Sequence, residues 1–171
     1  MSTVEFTPEN KKRFDVVVAK YERPASALLP TLWIAQEQFG FLTKPIIEYC
    51  ADLLKLPRAQ AFEVTSFYFM FRRKDMGTWC LQVCNNVTCS MMGSGELIDV
   101  AHEELGIKLG EVSADKKFSL VPVQCLGSCD TAPVVQVNDD YVENLDKEKF
   151  RELIRKLKND PRSPATREVV T

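Results

Sequence analysis

The chain has 171 residues, 45% of them apolar and 27% charged, with a net charge of −2. That length supports one good core and a smaller satellite unit, and the near-neutral balance leaves neither the basic footprint of a nucleic-acid binder nor a polybasic membrane patch. No apolar run approaches the ~20 residues of a membrane helix. The opening Met1-Ser2-Thr3-Val4-Glu5-Phe6 resembles neither a signal peptide nor a transit peptide, so a cytoplasmic location is expected.

Residues 7–75 read as helical. Thr7-Pro8-Glu9 is a start signal, a capping hydroxyl followed by a proline and an acid in the positive first turn. Phe14, Val17, Val18 and Tyr21 follow at helical spacing. A second helix is predicted from about Ala25 to Gln38, with Leu28, Leu32, Ala35 and Phe39 inward and Gly40 as its stop; Pro30 makes its first turn irregular or its start later. Thr43 caps a third helix that turns Ile46, Ile47, Cys50, Leu53 and Leu54 inward. Pro57 opens a fourth, ending in Phe67, Tyr68, Phe69 and Phe71. Such an aromatic run suits a partner interface, but the favoured reading puts most of it in a core where helices meet sheet. Four short helices with short loops predict an antiparallel four-helix bundle.

At Gly77 the periodicity changes. Trp79 to Cys84 alternates as a strand, with Leu81 and Val83 on one face. A helix is predicted from just after Cys89 to about Leu105, stopped by Gly106. Phe118–Val123 is a second strand, Pro133–Val137 and Tyr141–Glu143 form a hairpin about Asn138-Asp139-Asp140, and Leu145–Leu157 is an amphipathic helix with Phe150, Leu153, Ile154 and Leu157 inward. This order predicts a thioredoxin-like α/β domain over 77–158, behind the helical unit of 7–75. The fold class is thus α+β or α/β overall. Residues 159–171, with Pro161 and Pro164, have no periodicity and read as a mobile or partner-bound tail.

Four of the six cysteines form two close pairs, Cys84 with Cys89 and Cys125 with Cys129, separated by residues 90–124. Each pair lies where a strand runs into a loop. If the two strands are parallel neighbours, both loops meet at one edge of the sheet. Cysteines in a reducing compartment serve metals or chemistry more often than disulfides, and four thiolates in a small volume need cations to offset their charge. Structural zinc favours short C-x2-C knuckles in domains with little core. The longer x4 and x3 loops, in a domain with its own sheet, favour a 2Fe-2S cluster with backbone amides directed at sulfur. Asn85 to Thr88 and Leu126 to Ser128 would supply those amides, and a helix starting near Cys89 would aim its positive end at the cluster. A thiol oxidoreductase is disfavoured because no C-x-x-C motif is present. Cys50 and Cys80 read as small buried hydrophobes, Cys80 lying ~13 Å from Cys84 along its strand. His102 is the lone histidine and reads as a surface residue; a Rieske centre needs two.

The stretch from Val83 to Cys89, then Gly93, Val121 to Cys129, Ala132-Pro133-Val134 and Val137-Asn138-Asp139 resembles the E-type, thioredoxin-like 2Fe-2S subunits of NADH:quinone oxidoreductase, respiratory complex I. The resemblance covers about residues 8–158, with Gln36-Glu37-Gln38-Phe39-Gly40 and Ser66-Phe67-Tyr68 as support. It implies Cys84, Cys89, Cys125 and Cys129 as ligands of one 2Fe-2S cluster, and no catalytic residue on this chain. It also implies a partner, the F-type flavoprotein carrying FMN and NADH, with which single electrons would be exchanged. The setting would be the peripheral arm, on the cytoplasmic face of the bacterial plasma membrane. Similar chains occur in NAD-linked hydrogenases and formate dehydrogenases, and a zinc-stapled scaffold is the alternative of another class. In thioredoxin folds the position of Ala132-Pro133 often carries a cis peptide.

Overall fold

The structure, a computed structural model, describes residues 4–161. Most of the predicted tail, from residue 162 onward, lies outside the described residues. The chain divides into two compact units, Met1–Asp75 and Met76–Thr171. Among the described residues no helix is long and apolar enough to cross a membrane.

The first unit holds four helices. In α1 (Pro8–Val18) the Thr7 hydroxyl accepts the Asn10 N–H at 3.3 Å, and Pro8 occupies the first turn, where no intrahelical partner is lost. A single 3-10 turn (Pro24–Ala27) precedes α2 (Leu28–Phe39), so the second helix begins later than Ala25. Pro30 then falls on its third residue, among the N–H positions that lack a helical acceptor, and breaks nothing. Then come α3 (Lys44–Leu53) and α4 (Arg58–Phe67). Leu28, Leu32, Ala35, Ile47, Cys50, Ala51 and Ala61 are buried in one core. Gln36, also buried, uses its side-chain amide as a surrogate peptide. It donates to the Met70 carbonyl at 3.0 Å and accepts the Arg72 N–H at 2.6 Å, fixing the chain beyond α4.

The aromatic run departs from expectation. Phe67 and Phe69 are 80% and 65% exposed, Tyr68 and Met70 are exposed as well, and Phe71 alone joins the core. The physical reason is that α4 stops at Phe67. Tyr68 is already extended, at φ −87° and ψ 110°, so helical spacing no longer decides which side chains face inward.

The second unit is built on a four-stranded sheet in the order β2-β1-β3-β4. The central β1 (Trp79–Cys84) pairs in parallel with β2 (Phe118–Val123) from Trp79 opposite Phe118 to Cys84 opposite Val123. On its other side runs β3 (Val135–Val137), antiparallel, followed by β4 (Asp140–Val142) at the edge. The hairpin turn is therefore Asn138-Asp139, with Asp140 already in the strand. Leu81, Val83, Leu120 and Val135 pack with Leu97, Val100 and Ala101 of α6 (Ser94–Leu105) and with Phe150, Ile154 and Leu157 of α7 (Lys147–Lys158). Glu104 at the end of α6 pairs with Arg151, Arg155 and Lys158 of α7. These pairs lie at the surface around a half-buried Glu104, and the apolar side chains of the two helices and the sheet form the core beneath them.

The helix predicted after Cys89 is in fact two. A single-turn α5 (Val87–Met91) ends at Met92, and Gly93 adopts φ +100° before α6 begins. That left-handed conformation suits a residue without Cβ and redirects the chain. Cys89 accordingly lies inside a five-residue helix that starts at Val87, and the longer α6 begins beyond it, at Ser94.

Both cores can be probed directly. Phe150, fully buried between α6 and the sheet, should cost ~3–5 kcal/mol when replaced by Ala, read as a lower urea midpoint in circular dichroism. Cys50 has no exposure, and burial pushes its thiol up from 9.0 to about 12. At pH 8 a maleimide should leave Cys50 unmodified in the native protein and label it promptly in urea; native labelling would show that this core opens readily.

Candidate metal centre

The parallel pairing brings the two cysteine loops together. β1 ends at Cys84, level with Val123, the last residue of β2, and Cys125 lies two residues past that end. The exit from β1 is fixed by Cys84 N–H to the Val134 carbonyl at 3.3 Å and Asn85 N–H to the Val123 carbonyl at 3.1 Å. Asn86 then caps α5, its side chain accepting the Val87 N–H at 2.8 Å, while the Ser90 N–H and hydroxyl return to the Asn86 and Asn85 carbonyls. One helical turn thus folds Cys89 back toward Cys84. Both are buried, in a small cluster with Val123, Leu126, Ala132 and Val134.

Cys125 and Cys129 are exposed. Their loop turns at Gly127, where φ is +75° and nothing lies within 4 Å of the place a Cβ would occupy. The Gly127 N–H donates to Cys125 Sγ at 3.3 Å. Cys129 opens a single 3-10 turn, Cys129–Thr131, and the Ala132–Pro133 peptide that follows is cis. The edge strand holds this loop. The Tyr141 hydroxyl donates to the Leu126 carbonyl at 3.0 Å, Glu143 accepts from the Ser128 and Thr131 hydroxyls, and the Asn144 N–H donates to the Thr131 carbonyl at 2.8 Å.

The buried pair is electrostatically tense. At Cys84 burial acts to raise the thiol, but the backbone amides of Asn86 and Leu126 and the Cys89 thiol together outweigh it and hold Cys84 below the ordinary range. Cys89 is raised, first by burial, then by its hydrogen bond to Cys84, with the charges of Cys84 and Cys129 adding to the effect and the Val134 amide opposing it. The surroundings thus favour the thiolate form at Cys84 and disfavour it at Cys89. Full deprotonation of the set requires compensating positive charge at this edge.

The donor chemistry fits an iron-sulfur cluster: soft thiols, amides directed at sulfur and an apolar floor. Among the described residues no three Cys, His, Asp or Glu side chains gather closely enough to hold a single ion. Cys80 and Cys50 are buried apart from the pairs, Cys80 within β1 and Cys50 in the helical unit, and His102 is exposed with its Nδ1 3.2 Å from the Ile107 carbonyl. Sequence reasoning missed Tyr141, Glu143 and Thr131 as supports of the ligand loop. Their only signal is a polar edge strand after a hairpin, common to most edge strands.

The profile of the thioredoxin-like 2Fe-2S ferredoxin family matches residues 14–158. The E subunit of the NADH-quinone oxidoreductase of Rickettsia bellii (strain RML369-C) is 44% identical over 163 residues, 94% of this chain and 98% of that one. The corresponding protein of Rickettsia conorii (strain ATCC VR-613 / Malish 7) is 42% identical over 158 residues, 91% and 95% of the two chains. In fold the chain is similar to an NAD+-reducing NiFe-hydrogenase in its H2-reduced state, with a TM-score of 0.67 and 20% identity over 77% of this chain and 23% of the hydrogenase chain. With the family matched over residues 14–158 and relatives matched along nearly their whole length, the chain belongs to the thioredoxin-like 2Fe-2S ferredoxin family, among the E subunits of NADH-quinone oxidoreductases.

Proposed function

We propose that Cys84, Cys89, Cys125 and Cys129 hold one 2Fe-2S cluster, and that the chain exchanges single electrons with FMN on a flavoprotein partner, the F subunit of the complex. The function is electron transfer within an NADH-oxidising complex. The observation that carries the ligand assignment is the level ending of β1 and β2, which places a buried thiol pair and an exposed pair on adjacent loops.

A cluster bound there supplies one-electron acceptance and release. The chain's own part is to bind and insulate. The four cysteines bind as thiolates and release their protons on metal binding. The amides of Asn86 and Leu126 offset negative charge at Cys84, that of Val134 does so at Cys89, and the Gly127 N–H does so at Cys125. Val123, Leu126, Ala132 and Val134 exclude water from the inner pair, while the outer pair opens toward the partner. Beside the site, α5 presents Val87, Met91 and Met92, 67%, 83% and 59% exposed, a surface suited to docking the flavoprotein close by.

The domain roles follow. Residues 77–158 form the cluster domain, and the bundle of 7–75, with exposed Phe67 and Phe69, contributes contact to the complex, as does the tail of 159–171. The location is the cytoplasmic face of the plasma membrane, through the complex. An equivalent place in a hydrogenase rests on the fold alone.

Anaerobic reconstitution should give a red-brown protein with about two irons per chain and a rhombic EPR signal on reduction. Each of Cys84→Ser, Cys89→Ser, Cys125→Ser and Cys129→Ser should lose more than half of the iron, while Cys80→Ser keeps it. A colourless, EPR-silent protein that takes up zinc instead would establish the scaffold reading. On the partner side, Met91→Glu should weaken co-purification of a flavin-containing protein by roughly tenfold, the loss of a docking anchor, with iron content unchanged.

A further inference from the structure

Both cysteines of the loop Cys125–Cys129 are exposed, and among the groups that hold the loop one is a carboxylate. Glu143, just past β4, accepts hydrogen bonds from the hydroxyls of Ser128 and Thr131, the latter at 2.8 Å, and those two hydroxyls are themselves 2.8 Å apart. Ser128 immediately precedes Cys129, and Thr131 closes the 3-10 turn that Cys129 opens. A three-residue turn makes few hydrogen bonds of its own: the Thr131 N–H reaches the Ser128 carbonyl at a long 3.4 Å. Glu143 therefore clasps the turn across its open side.

A carboxylate is well suited to this clasp because, ionised, it only accepts, so both hydroxyls can donate to one oxygen. The same two bonds hold its carboxyl below the usual range, Ser128 contributing first and Thr131 second. Glu143 is thus charged at neutral pH, and it sits one hydrogen bond from the residue bonded to Cys129. A fixed negative charge at that place disfavours the arrival of an electron at the adjoining cluster.

We propose that Glu143 is a positioning residue of the redox site: through Ser128 and Thr131 it sets the conformation of the Cys129 turn, and its charge lowers the midpoint potential of the cluster. The inference rests on Cys129 being a cluster ligand, as proposed above. Groups outside a metal's immediate ligands commonly change metal affinity 10- to 100-fold when removed, and this one acts on both affinity and potential.

The test uses the full reconstituted chain and two conservative variants. Glu143→Gln keeps the shape and an acceptor oxygen but removes the charge. Glu143→Asp keeps the charge but shortens the reach. Midpoints are read by EPR-monitored redox titration, and cluster retention by the rate of iron release to a chelator. Glu143→Gln should move the midpoint to more positive potential with the EPR signal retained. Glu143→Asp should leave the midpoint near that of the parent protein and release iron roughly tenfold faster. A parent-like midpoint in Glu143→Gln overturns the inference, whatever the release rates. Should the parent protein itself bind no cluster, the ligand assignment fails, and that result is distinct from a failure of Glu143 alone.

Discussion

The parallel pairing of β1 with β2 is the constraint on which the rest depends. Antiparallel neighbours would place the ends of these two strands at opposite edges of the sheet. In parallel and in register, Cys84 and Val123 finish level, so two loops far apart in sequence start from the same edge. A parallel connection needs a crossover, and α6 provides it while burying Leu97, Val100 and Ala101 against the sheet. The apolar core thereby fixes the point from which both cysteine loops start.

That placement carries an electrostatic cost that the fold meets only in part. Burial opposes the thiolate form at both Cys84 and Cys89; amide hydrogen bonds act against burial at each, outweighing it at Cys84 and not at Cys89. The cation that completes the balance is external to the chain. Such a site is held under tension by folding and relieved by metal, which couples cluster binding to the ordering of the inner pair. The outer pair follows a different logic. It is exposed, and its order comes from the edge strand through Tyr141, Glu143 and Asn144.

Much of this was legible in the residues because it is written in periodicity. The alternation of Leu81 and Val83, the amphipathic face of Phe150, Ile154 and Leu157, and the Thr7-Pro8 helix start all report on short-range geometry, and each recurs in the structure. What escaped depends on where a period stops. Tyr68 and Phe69 lie outside and Phe71 inside because the helix ends at Phe67 and its spacing no longer decides which side chains face inward. The run from Cys89 to Leu105 is apolar enough for one helix, and only the backbone at Gly93 shows that it is two. Glu143 was invisible for another reason. Its partners are more than ten residues away, and no local pattern marks a carboxylate that will meet two hydroxyls.

Asn138 sits at the other end of the sheet, in the hairpin turn with φ +57°. Its side chain accepts the Cys80 N–H at 3.0 Å and donates to the Thr78 carbonyl at 3.1 Å. Those two groups at the start of β1 are thereby satisfied by a side chain where a longer β3 would otherwise be required. Asparagine tolerates the left-handed backbone and carries both a donor and an acceptor; aspartate would lack the donor and glycine would lack both. An insertion in this hairpin would withdraw the surrogate and leave the Cys80 N–H and the Thr78 carbonyl without this partner. The sheet is therefore locked from the end opposite its cysteines, and the alignment of strands that a metal site requires is guarded by a residue that never approaches the metal.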